Sequence, residues 1–86
     1  MKKEEIIDAL KVILDEGTRG RIDPNSITEN SDLVAEGGLD SIEALDILLR
    51  AEEHFDIVID DEDLNKELFK SISNFADYIS NRLTPA

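Results

Sequence analysis

The stretch from Ser41 to Phe55 constrains this chain most, because its apolar residues recur at helical period yet cover more of the wheel than one buried face uses. Ala44, Ile47, Leu48, Ala51 and Phe55 form one apolar arc; Ile42, Leu45 and Leu49 form a second, with Glu52 between them. A surface helix of a globular domain needs an apolar stripe of somewhat more than about 100°. The surplus either buries itself, making this the central helix, or waits for a partner. The remaining sector carries Glu43, Asp46 and Glu53, with Arg50 placed to pair with Asp46 at i,i+4.

The rest of the chain reads as helix and loop. Ile6, Ile7, Leu10, Ile13 and Leu14 are spaced as the inner face of a first helix from Lys3 to Glu16, with Val12 off the stripe and Gly17 as the stop. Residues 17 to 40 hold glycines, a proline and a run of Asp, Asn, Ser and Thr, which predicts a long loop with a turn at Asp23-Pro24-Asn25-Ser26. Connections beyond about 12–15 residues are uncommon in compact domains unless they are functional or packed by their own side chains. Ile22, Ile27, Leu33 and Val34 are spaced to plug this one into the core. Asp40 or Ser41 opens the second helix, and Glu43 follows Asp40 as in a capping box. A short third helix is expected at 61–67, after the apolar run Ile57-Val58-Ile59, and Ser71 caps a last helix that runs to about Leu83. Ile72, Phe75, Ala76, Ile79 and Leu83 form its inner side. The expectation is one all-α domain over residues 1–86.

Bulk properties narrow the function. An 86-residue chain buries only roughly 60% of its unfolded surface, so the core is thin and a deep catalytic cleft is not expected. With 21 acidic against nine basic residues the net charge is −12, which repels nucleic acid and anionic lipid and favours proteins with basic patches. There is no cysteine, the N-terminal residues enter an amphipathic pattern rather than a signal peptide, and no apolar run reaches the length of a membrane span. A soluble, monomeric, cytoplasmic protein is the expected setting.

Ser41 is the one candidate nucleophile in an unusual setting. A hydrolytic triad does not fit: the sole histidine, His54, lies at the far end of the same predicted helix, roughly 20 Å away at about 1.5 Å per residue. Leu39 and Glu43 also stand where a nucleophile elbow has glycines. An EF-hand starting at Asp61 fails as well, with Lys66 in place of the turn glycine and Ile72 in place of the bidentate Glu. What remains is a serine behind Gly37-Gly38 at a helix N-terminus, where backbone N–H groups favour a phosphate and where a serine commonly serves only as a cap.

Gly38-Leu39-Asp40-Ser41-Ile42-Glu43, then a mostly apolar and acidic helix ending Glu52-Glu53-His54-Phe55-Asp56, then Ile59 and the late Asp77-Tyr78-Ile79 resemble the phosphopantetheine-binding acyl carrier family over nearly the whole chain. The resemblance implies a four-helix bundle of three main helices and a short third one. It implies a carrier with no catalysis of its own, in which Ser41 accepts 4′-phosphopantetheine from coenzyme A. Acyl groups would ride as thioesters on the arm's thiol, supplying the sulfur the chain lacks. Asp40 would mark the site for a phosphopantetheinyl transferase; Ile42, Leu45 and Leu49 would form the apolar docking patch. Asp46, Glu52 and Glu53 would meet basic residues on acyl-transferring, condensing or modifying enzymes. Three departures from the family pattern, Ile42 after the serine, Gly37 before Gly38, and Arg50 with His54 on the docking helix, point away from housekeeping fatty-acid synthesis toward a specialised freestanding carrier. An aminoacyl or peptidyl carrier, and a non-catalytic acidic adaptor with Ser41 as a mere cap, are the alternatives.

Overall fold

The computed structural model describes residues 2–23, 25–26, 28–60 and 68–83. They contain helices α1 (Lys3–Gly17), α2 (Ser41–Phe55) and α3 (Ile72–Leu83) and no strand, so the all-helical class is observed. The short helix expected at 61–67, and with it the count of four, lies outside the described residues, as do Pro24 and Ile27 of the loop. Among the described residues no helix is long and apolar enough to cross a membrane.

The centre of the bundle is α1, which packs against both α2 and α3. Its five predicted core residues are buried, and Val12 is exposed as its position off the stripe requires. Gly17 closes the helix for a reason other than chain reversal: a Cβ there would stand 2.8 Å from Cγ1 of Ile47, so only glycine admits this close approach of α2. Reversal falls to the next residues, where Arg19 and Gly20 adopt positive φ of 54° and 79°. Between them and the helix, the buried Thr18 hydroxyl donates to the Leu14 carbonyl at 2.7 Å and accepts from the Ile22 amide at 3.1 Å.

The long loop is packed by its own side chains. Ile22 and Leu33 are buried and Val34 is half-buried against the core; Leu39, which the spacing did not single out, is buried too. The Leu33 amide donates to Phe69 O (3.1 Å) and the Ser73 amide to Glu29 O (2.8 Å), fastening the loop to the start of α3. Asp32 then caps a single turn: its Oδ1 accepts from the Val34 and Ala35 amides, while Glu36 Oε2 accepts from the Asp32 amide. That turn delivers Gly37 and Gly38 to α2. At the other end of the chain, Ser71 Oγ accepts from the Asn74 amide as the predicted cap of α3, and Phe75 meets Phe69 edge-on at 5.4 Å.

Helix α2 buries Ile47, Leu48, Ala51 and Phe55, and Ala44 is half-buried. Its second arc does not form a second buried face: Ile42, Leu45 and Leu49 are 80%, 51% and 54% exposed. The helix ends on Asp56 in the left-handed conformation (φ 53°).

Candidate functional site

Asp40 and Ser41 divide the work at the start of α2. Asp40 is the N-cap, its backbone extended and its Oδ1 accepting from the Glu43 amide at 2.7 Å. Ser41 is the first helical residue, exposed, and its hydroxyl has no hydrogen-bond partner among the described residues. The reading of Ser41 as a cap is therefore corrected, because the carboxylate one residue earlier already fills that role. Helix geometry leaves the N–H groups of the first turn without intrahelical acceptors, and only that of Glu43 is taken by the cap. The serine oxygen thus sits open to solvent in the positive field of a helix end, a setting that favours a negatively charged group.

The capping box expected between Asp40 and Glu43 is only half made. Instead of turning back to the Asp40 amide, the Glu43 carboxylate reaches across the loop to Arg21, which binds both its oxygens through Nε and Nη2. The same guanidinium donates from Nη1 to the Gly37 carbonyl at 2.7 Å and from Nη2 to the Gly38 carbonyl at 3.3 Å. The hydrogen bond to Glu43 raises the Arg21 pKa from its ordinary value; desolvation opposes this, and the charges of Glu43 and Asp40 add to it. A raised pKa favours the charged form, so Arg21 stays cationic through the ordinary arginine range and its side of the pair is lost only above it.

The two glycines fit this arrangement for different reasons. A Cβ at Gly37 would lie 2.6 Å from the Leu33 carbonyl oxygen, so backbone meets backbone there. Gly38 has φ of +66°, the left-handed region, and faces Arg21 Nη1.

The predicted acidic ridge proves unequal. Asp46 is paired with Arg50 at 3.1 Å, as the i,i+4 spacing requires. Glu52 folds inward and accepts from the Ile59 amide at 2.8 Å, holding the segment that follows α2. Glu53 is exposed and has no ion-pair partner among the described residues. His54 sits at the opposite end of α2 from Ser41, edge-on to Phe55 and beside a shallow cleft lined by Ile13, Glu16, Arg50 and Glu53. The structure brings together Asp40, Ser41 and the exposed Ile42, and it keeps His54 apart. Sequence reasoning missed Arg21; its distance along the chain from Glu43 left no local signal.

A family model described as a phosphopantetheine attachment site matches residues 5–79. Acyl carrier protein of Phytoplasma mali is 37% identical over 72% of this chain and 71% of its own length. Those of Coprothermobacter proteolyticus and Thermotoga maritima are 32% and 30% identical, over 96% and 94% of this chain and 96% and 95% of theirs. With a family match across most of its length and relatives covered nearly end to end, the chain belongs to the acyl carrier family, whose prosthetic group is a covalently attached 4′-phosphopantetheine.

Proposed function

We propose that Ser41 is the attachment point of the arm and that the protein is a carrier without catalysis of its own, shuttling acyl groups among enzymes. The observation that carries this is the free, exposed hydroxyl on the first turn of α2, with the cap already supplied by Asp40. Loading forms one bond from Ser41 Oγ to the phosphorus of coenzyme A as the nucleotide half departs, and the serine proton passes to the transferase. The arm's thiol supplies the thioester chemistry. This chain supplies an uncovered oxygen, a positive helix end and an adjoining apolar strip, Ile42, Leu45 and Leu49, for the enzymes that load and unload it.

On this reading Asp40 has two tasks, capping α2 and marking the serine for the transferase. Of the acids expected to meet basic partner residues, Glu53 offers the least encumbered charge, because Asp46 and Glu52 already have partners within the chain. The interruption of the acidic face by Arg50, together with the use of Glu43 by Arg21, supports a specialised carrier over a housekeeping one.

Incubation with coenzyme A and a broad-specificity phosphopantetheinyl transferase is expected to add one phosphopantetheine mass to the wild type and none to Ser41→Ala, read by intact-protein mass spectrometry. A wild type that stays unmodified, or a Ser41→Ala variant that gains the mass, overturns the assignment.

A further inference from the structure

We propose that Arg21 is a positioning residue for Ser41, pinning the Gly37-Gly38 approach to α2 so that the transferase meets Asp40 and Ser41 in one conformation; the inference rests on Ser41 being the attachment point. Two glycines in succession give this approach more backbone freedom than any other residues would, and freedom next to the reacting oxygen lowers the fraction of molecules ready to react. Arg21 removes that freedom from both sides of the serine. Its guanidinium holds the carbonyls of Gly37 and Gly38, four and three residues before Ser41, and the carboxylate of Glu43, two residues after it.

The pin is itself held in place. The left-handed turn at Arg19 and Gly20 points the chain back from the end of α1 toward α2. The Arg21 amide donates to the Thr18 carbonyl at 3.1 Å, and the next residue is anchored twice, by burial of Ile22 and by its amide bond to the Thr18 hydroxyl. The side chain therefore leaves a fixed backbone, and the planar fork of arginine matches two carbonyls and a carboxylate at once. A lysine ammonium, a single point of charge, cannot span them. Gly37 completes the device: by admitting the chain to within contact of the Leu33 carbonyl, it brings the glycine pair under the guanidinium, where an apolar side chain would hold it off.

The experiment compares wild type, Arg21→Ala, Arg21→Lys and Lys3→Ala. Lys3→Ala removes one positive charge from the exposed pair with Asp77, away from α2 and the glycines. Amide hydrogen exchange of Gly37, Gly38 and Leu39, whose N–H groups bond to Asp32, Val34 and Leu33, is read beside transferase kinetics with coenzyme A. Arg21→Ala is expected to speed exchange at these three amides about tenfold and to raise the carrier's apparent KM by a smaller factor, about twofold, with kcat and exchange at Ile47 and Leu48 unchanged, since exchange follows the open fraction whereas binding weakens only as the competent fraction falls. Arg21→Lys should recover only part of both effects, and Lys3→Ala should show neither. A raised KM with unchanged exchange would mean that Arg21 touches the transferase directly, and it overturns the positioning role. So does Lys3→Ala matching Arg21→Ala. A wild type that accepts no arm overturns the attachment reading itself, whereas normal loading of every variant overturns only the role of Arg21.

Discussion

Thr18 shows how much one buried hydroxyl can decide. It is the buried polar residue among those described, and its oxygen serves two backbone groups, the Leu14 carbonyl, which also accepts from the Thr18 amide, and the Ile22 amide that begins the loop's descent into the core. Thr18→Val keeps the shape but abandons the Ile22 amide in an apolar setting, so a loss of about 1–3 kcal/mol is expected in denaturant unfolding. Thr18→Ser, which retains the oxygen, should lose less than half of that. Glu52 makes a comparable point about surface charge. The family resemblance assigns it to meeting basic partner residues; in the structure its carboxylate also accepts from the Ile59 amide and clamps the segment after α2. Wheel position says where a side chain starts from, and the rotatable bonds of a glutamate side chain leave open where it ends.

At the scale of elements, α2 is set by its cap. Because Asp40 holds the Glu43 amide and Ser41 holds nothing, Asp40→Ala should cost about 0.5–2 kcal/mol in thermal or denaturant unfolding, whereas Ser41→Ala should change stability little. Equal losses for the two would reassign the cap. The helices themselves were legible from their apolar period. Ile6 to Leu14, Ile47 to Phe55 and Ile72 to Ile79 fall where predicted, because 3.6-residue spacing and local caps are written into adjacent residues. The exposed place of Ser41 at the start of α2 was legible for the same reason, as part of a contiguous motif. What escaped were relations across the loop. Nothing near Glu43 announces that its partner is Arg21, nothing near Gly17 announces Ile47, and the choice between a central and a half-exposed α2 depends on α1 taking the middle place. Those are consequences of how the segments stack, which a one-dimensional period does not contain.

At the scale of the whole molecule, a charge of −12 spread over 86 residues surrounds the exposed strip of Ile42, Leu45 and Leu49. Two copies that meet strip to strip would bury apolar area and would also press two like-charged bodies together, and in dilute buffer repulsion prevails over so small a patch. Salt shortens the range of that repulsion to about 10 Å at 0.1 M and about 3 Å at 1 M, and protonation removes it as the pH approaches the isoelectric point near 4.2. Light scattering should therefore show reversible self-association that grows with ionic strength and as the pH falls toward that value, and Leu45→Ser with Leu49→Ser should suppress it. Association that persists unchanged in the double variant would place the contact elsewhere. The acidity of the chain thus has a colloidal consequence: it is the dispersant that lets an exposed apolar strip remain free of its own kind.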